Sequence, residues 1–142
     1  VVMTVDPLGD GTTGGVELAL GPCEAIVSGA VSPDEVTFHR ASGSIVDRHV
    51  GAKEVAIEYQ PFTGLASNAI KKPVPQARRE QLAVSDEVLT KIIDVARHVE
   101  RIFGVPQDIE LVVDEAGEIT VVQARSITRL PDKFIPFNSP SV

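Results

Sequence analysis

A chain of 142 residues, 43% hydrophobic and 23% charged, has the composition of an ordinary soluble domain and excludes a disordered or membrane-embedded one. A formal charge of -7 does not supply the basic face that coats a nucleic-acid backbone, and 4% aromatics without tryptophan offers few platforms for stacked bases, so no nucleic-acid partner is expected. The single cysteine, Cys23, excludes an internal disulfide, and no apolar run of about 18 residues or signal-like segment is present, so no membrane partner and a cytoplasmic address are expected. The chain opens at Val1 inside an apolar run, as expected of a piece of a longer chain.

Val1 to Val5 reads as a strand, stopped by Asp6-Pro7 and the glycine-rich stretch from Gly9 to Gly15. Val16 to Leu20 reads as a second strand, and Gly21-Pro22-Cys23-Glu24 as a tight connection. Three β-branched runs follow, Val36 to His39, Ile45 to Val50 and Val55 to Tyr59, for which an antiparallel meander is the simplest account. Pro61 to Val84, with Gly64, Pro73 and Pro75, reads as a loop with a short helix near Gln76. Ser85 caps a predicted helix from Asp86 to Phe103, with two acids in its first turn and Gly104 beyond its end. Val88, Ile92, Val95, Val99 and Ile102 form the stripe expected to pack on the sheet. The last 14 residues, 129–142, read as an extended linker.

Between the helix and that linker lie two apolar runs, Asp108 to Val113 and Ile119 to Gln123, joined by the turn residues Asp114 to Glu118. If Asp114 pairs with Ile119 across a four-residue loop, Glu110 falls opposite Gln123, Val112 and Val121 share their side, and Arg125 follows two positions later on the same face. A carboxylate, an amide oxygen and a guanidinium then project together. Such a trio can serve Mg²⁺ with two hard oxygens, Glu110 and Gln123, and a phosphate with the planar fork of Arg125. It is equally what the exposed face of an ordinary hairpin presents, where such groups signify little.

The run Val122-Gln123-Ala124-Arg125, with Pro106-Gln107-Asp108-Ile109-Glu110 ahead of it, resembles the end of the ATP-grasp nucleotide-binding domain of the phosphoenolpyruvate synthase and pyruvate phosphate dikinase family. Val1-Val2-Met3-Thr4-Val5-Asp6-Pro7, Glu24 to Gly29, Val31-Ser32-Pro33-Asp34 and Gly51-Ala52-Lys53 are similar to further family segments in the same order, so the resemblance covers nearly all of residues 1–128. It implies an α+β fold: an antiparallel sheet packed by one main helix, the second subdomain of an ATP-grasp fold. It also implies ATP and Mg²⁺ as cofactors, Glu110 and Gln123 as metal ligands, Glu110, Gln123 and Arg125 as nucleotide contacts, and Arg125 as the catalytic phosphate clamp. The implied partners are the other ATP-grasp subdomain and a phosphohistidine domain of the parent chain. The implied activity is that of a phosphoenolpyruvate synthase-like phosphotransferase, which makes AMP, phosphoenolpyruvate and phosphate from ATP, pyruvate and water. A pyruvate phosphate dikinase, a rifampicin phosphotransferase-like enzyme and a non-catalytic nucleotide-binding scaffold are the rivals. Departures from the family pattern stand at Pro22 and Cys23, where Gly-Leu-Gly-Glu is usual, at Leu111, where an aromatic is usual, and at Ser126 in place of proline.

Other residues attract no role. Nothing near Cys23 in sequence activates its thiol. His39, His49 and His98 lack metal-ligand spacing. Gly9 to Gly15 lacks the Gly-Lys-Ser/Thr ending of a phosphate loop and reads as a hairpin connection. Lys53 reads as a solvated strand residue, with a nucleotide-facing position as the alternative, and Lys71-Lys72 as a charged loop.

Overall fold

In the computed structural model, which describes residues 1–59 and 69–132, the apolar alternation of the first 50 residues resolves into short strands around one helix. Strands β1 (Val2–Met3), β2 (Thr13–Leu18), β3 (Asp34–His39), β4 (Ile45–His49), β7 (Gln107–Val113) and β8 (Ile119–Ser126) build a six-stranded sheet in the order β4-β3-β2-β1-β7-β8. Every pairing in it is antiparallel. Strands β5 (Val55–Tyr59) and β6 (Ala69–Pro73) pair separately, and the helices are α1 (Glu24–Val27), α2 (Gln76–Arg79) and α3 (Asp86–Phe103). The chain is therefore α+β, a mostly antiparallel sheet with one main helix.

The α3 helix has the limits its sequence implies. The Ser85 hydroxyl accepts the Val88 N–H at 3.3 Å, and Gly104, at φ 75°, ends the helix in the left-handed region. Its buried face is Leu89, Ile92, Ile93, Ala96 and Glu100, about one residue round from the expected stripe. Val88 and Val99 pack at its margin, whereas Ile102 is 67% exposed. The expected stripe runs mainly through β-branched residues, but the helix faces the sheet along the line of Leu89 and Ala96. Against it lie Val2, Val16, Leu18, Val36, Phe38, Ile109 and Leu111, each apolar side chain contributing roughly 1.5–3 kcal/mol on full burial.

Three further expectations need correction. The meander stops at β4, because β5 leaves the sheet to pair with β6, and Lys71 and Lys72 lie in that strand and not in a loop. β2 begins at Thr13, inside the glycine-rich stretch, because the Phe38 ring lies where a side chain on Gly14 would sit: a Cβ there would be 2.5 Å from it. Glu24 to Val27 is a short helix, which packs Ala25 beside Ile57 of β5. The short helix expected near Gln76 is α2. The parts of the expected loop and linker at residues 60–68 and 133–142 lie outside the described residues.

Two buried ion pairs fasten this frame. Arg40 and Glu100, with side chains 4% and 3% exposed, meet at 2.9 Å, and the same carboxylate accepts the Thr4 hydroxyl at 2.6 Å. Arg40 also donates from Nε to the Thr4 carbonyl at 2.7 Å, while the Gln107 N–H donates to the Thr4 hydroxyl at 2.8 Å. The second pair is Lys53 with Asp34, both fully buried. Lys53 thus neither faces solvent nor is open to a nucleotide. Its ammonium donates to Asp34 Oδ1, to the Gly51 carbonyl at 3.2 Å and to the Arg79 carbonyl at 3.1 Å, which uses all three of its donors. Asp34 in turn accepts the Gly51 N–H at 2.9 Å and the Ala83 N–H at 2.7 Å. Lys53 holds φ at 42°, a left-handed backbone that a lysine adopts only when its surroundings fix it.

These pairs differ sharply from the exposed Lys72–Glu58 pair. Lys53→Met strands a buried carboxylate and should lower unfolding free energy by about 3–5 kcal/mol. Lys72→Met should cost under about 1 kcal/mol. Urea denaturation of the two variants checks the contrast, and equal effects would contradict it. Glu100→Ala, which takes away the buried carboxylate that Arg40 and Thr4 share, should also destabilise in the same assay, by about 3–5 kcal/mol.

Candidate functional site

The sheet has two faces because successive strand side chains alternate. One lies under α3. The other carries Met3 of β1, Glu17 of β2, Glu35 of β3 and Asp108 and Glu110 of β7. The β7–β8 hairpin brings Gln123 and Arg125 to this open face: Glu110 pairs with Gln123, and Asp108 with Arg125.

The turn reaches that register by a different route from the one expected. Val113, not Asp114, pairs with Ile119. The Asp114 carboxylate accepts the Ala116 and Glu118 N–H groups at 2.9 Å each, and its carbonyl accepts the Gly117 N–H at 3.0 Å, which draws Asp114 out of the ladder into the turn. That would shift the hairpin by one residue. A bulge at Val122, between the Leu111–Val121 and Glu110–Gln123 pairs, absorbs the shift. Val121 consequently pairs with Leu111 on the core side, and Val112 pairs with Thr120.

All three expected site residues therefore share one face. Glu110 is half-buried, and Gln123 and Arg125 are exposed. Among the described residues the side chains of Glu110 and Gln123 have no protein hydrogen-bond partner. Arg125 does have one partner that was not expected: its Nε lies 3.4 Å from Asp108 Oδ2. Strand alternation alone could have indicated Asp108, since it stands two positions before Glu110 and directly across from Arg125.

The electrostatics of the face are acidic. Glu17, Glu35, Asp108 and Glu110 share it by register. Among the described residues no three His, Cys, Asp or Glu side chains cluster closely enough to enclose a metal by themselves. The Glu110 and Gln123 oxygens form a two-donor set, which suits an ion that fills its shell from phosphate and water, as Mg²⁺ does.

The remaining candidates are placed elsewhere. Cys23 stands at φ -55° in the ordinary right-handed region, with its thiol 3.1 Å from the Leu111 carbonyl, so a cysteine fits where the family has glycine. Positive φ is needed instead at Gly21, at 97°, where a Cβ would lie 2.6 Å from the Ile57 carbonyl oxygen. His39, His49 and His98 are exposed and lie on β3, β4 and α3, not on the β7–β8 hairpin. Of the glycine-rich stretch, Gly9 to Thr12 belong to the β1–β2 connection and Thr13 to Gly15 open β2; the connection is shaped by Asp10, whose carboxyl accepts the Thr12 N–H at 2.9 Å. Hydrogen bonds from the Thr12 hydroxyl and N–H hold that carboxyl below its usual pKa. A cleft of about 450 Å³ at the turn end of the hairpin is lined by Leu18, Cys23, Val88, Leu111 and Asp114 among others, and does not include Glu110, Gln123 or Arg125.

Comparison with known proteins bears on this geometry. Residues 1–135 match the family model described as the pyruvate phosphate dikinase AMP/ATP-binding domain. Among curated proteins, the chain is similar to a rifampicin phosphotransferase of a Streptomyces species, with 34% identity over 92% of this chain and 14% of that protein. It is also similar to the phosphoenolpyruvate synthase of Pyrococcus furiosus, with 31% identity over 83% of this chain and 15% of that protein. A probable phosphoenolpyruvate synthase of Archaeoglobus fulgidus is 31% identical over 81% of this chain and 14% of its own length. The chain thus spans about one-seventh of the length of the curated relatives it matches. With a match over residues 1–135, the chain belongs to the pyruvate phosphate dikinase AMP/ATP-binding domain family.

Proposed function

We propose that the open face of the β7–β8 hairpin is the polyphosphate side of a Mg-ATP site. Residues 1–128 would be the second subdomain of an ATP-grasp nucleotide-binding domain, with 129–142 leading away from it. The observation that carries this reading is the direct pairing of Glu110 with Gln123, two oxygen-bearing side chains without hydrogen-bond partners among the described residues, one step along the same face from Arg125. Glu110 and Gln123 would hold Mg²⁺, and Arg125 would clamp a phosphate oxygen pair through its planar fork. Bound Mg²⁺ supplies neutralisation of charge on the phosphates.

The chain's own contribution is placement. The hairpin fixes a carboxylate, an amide and a guanidinium on one surface, so that little reorganisation is needed when charge develops on the transferring phosphoryl group. The opposing wall of the site, further basic contacts and the phosphohistidine that relays the phosphoryl group would come from other parts of the parent protein. The parent would act as an ATP-dependent phosphotransferase. For the acceptor, pyruvate is the first reading; the 34% identity to a rifampicin phosphotransferase over 92% of the chain favours rifampicin as the second.

Calorimetric titration of Mg-ATP into the full-length parent tests the site. Glu110→Gln, which removes the charged metal oxygen and keeps the shape, should weaken Mg-ATP by about 10- to 100-fold, the range for a hydrogen-bonded charged group. Unchanged affinity would remove the hairpin from the site. Incubating the same protein with ATP and either pyruvate or rifampicin, and finding which is phosphorylated, decides the acceptor.

A further inference from the structure

We propose that the cleft of about 450 Å³ at the turn end of the hairpin is a strand position, filled in the parent protein by the three residues that lead into Val1. β1, which has only two residues here, is then the end of a longer central strand. This stands independently of the Mg-ATP reading of the open face.

Register locates the position. β1 lies between β2 and β7 and pairs antiparallel with both: Val2 with Val16 and Ile109, Met3 with Gly15 and Asp108. Carried backwards along the chain, the same registers set the first residue before Val1 between Leu18 and Leu111. The second falls between Ala19 and Val112, and the third between Leu20 and Val113. All six of these residues line the cleft, and so does Val1.

The backbone groups of both walls point into it. The Glu17 N–H donates to the Val1 carbonyl at 2.8 Å, so Glu17 turns its main-chain groups towards β1, and Ala19, two residues on, does the same. Among the described residues the Ala19 N–H and carbonyl have no partner. On β7 the Gln107 carbonyl accepts the Thr4 N–H at 2.9 Å, which turns the odd-numbered residues towards β1. The even-numbered ones turn towards β8: the Pro106 carbonyl accepts the Ile127 N–H at 2.9 Å, and the Asp114 N–H donates to the Glu118 carbonyl at 3.0 Å. Leu111 and Val113 therefore aim their N–H and C=O groups at the cleft. The Leu111 carbonyl accepts the Cys23 thiol, a weak donor, at 3.1 Å, which leaves its second lone pair for a strand N–H.

Two walls that offer main-chain donors and acceptors at strand spacing suit an extended backbone, whereas a small-molecule site converges a few polar groups on one centre. The occupant follows from continuity. The chain spans about one-seventh of its curated relatives, so a parent of their length supplies further polypeptide, and a segment joined to Val1 is held at the cleft at high effective concentration. Alternation then puts the first residue's side chain with Leu18 and Leu111 under α3, and the second residue's beside Val112 on the open face.

Disulfide trapping in the full-length parent tests the register. The second residue before Val1 and Val112 form a non-hydrogen-bonded pair, whose Cβ atoms lie roughly 4.5–5.5 Å apart, at the edge of disulfide reach. Val112 is 40% exposed, so Val112→Cys leaves the core intact. A cysteine two positions before Val1, combined with Val112→Cys, should form an intramolecular disulfide under mild oxidation. A cysteine three positions before Val1 turns to the other face and should leave both thiols free. Mapping the linked peptides by mass spectrometry separates these links from any made by Cys23. Equal linkage in both variants, no linkage in either, or a link between two molecules would each overturn the proposal, the last by giving the position to a second copy. Hydrogen exchange of the unaltered parent is a check that needs no substitution: the Ala19, Leu111 and Val113 amides should exchange at least about 100-fold more slowly than open loop amides. Exchange of all three at the open rate would overturn the proposal as well. Neither readout depends on nucleotide binding.

Discussion

The buried Arg40–Glu100 pair, with Thr4 between its partners, is the constraint from which the placement of the open face follows. β1 has only two residues, too few to fix its own register against two neighbours by ladder hydrogen bonds alone. The residue after it, Thr4, receives the Arg40 side chain at its carbonyl, gives its hydroxyl proton to Glu100 and accepts the Gln107 N–H. One polar cluster therefore joins the end of β3, the end of β1, the last turns of α3 and the first residue of β7. Desolvating two charges is costly, and the cluster is favourable only because each oxygen and nitrogen it buries is hydrogen-bonded. Satisfied in this way, it sets where β7 starts, and two-residue periodicity then decides that Asp108 and Glu110 face away from the helix.

The hairpin adds a second, local constraint. The Asp114 turn is a tight hydrogen-bonded unit whose natural register would be out of step with the pairing below it. The bulge at Val122 reconciles the two, on a strand that stands last in the sheet among the described residues, where an extra residue costs least. Glu110 and Gln123 are opposite each other because turn and bulge offset one another. An unbulged ladder continued from the Leu111–Val121 pair would set Val122, and not Gln123, opposite Glu110, whereas deletion of Val122 would join that pair directly to Glu110–Gln123 and keep the face.

Much of this was legible in the sequence where the signal is local. Ser85, the acidic first turn and Gly104 bound α3 at both ends, and the alternation through Asp108 to Val113 and Ile119 to Gln123 placed Glu110, Gln123 and Arg125 on one face. What was not legible depends on partners distant in the chain. Lys53 reads as solvated because nothing adjacent announces Asp34, 19 residues earlier, or the Arg79 carbonyl, 26 residues later. Glu100 falls on the buried line of α3, but only Arg40 and Thr4, 60 and 96 residues away, explain how a carboxylate is tolerated there. β5 carries the same β-branched pattern as β3 and β4, and the pattern cannot say that its partner is β6. The turn is one residue longer than its residue types imply, and the bulge that restores the Glu110–Gln123 register has no signature in residue type.

The charge of the open face bears on how it could receive a polyphosphate at all. Glu17, Glu35, Asp108 and Glu110 share that face, and the guanidinium of Arg125 across the hairpin is already paired with Asp108. A bare triphosphate approaching such a surface meets like charge, at a cost that low local dielectric increases. The same carboxylates become favourable once a divalent cation stands between them and the phosphates, because each attracts the ion more closely than it repels the anion beyond it. If this face holds ATP, the acidity that argues against binding nucleic acid is what makes nucleotide binding conditional on the metal. Arg125 can then contribute as a directional contact to phosphate oxygens, with bulk charge neutralisation left to the cation.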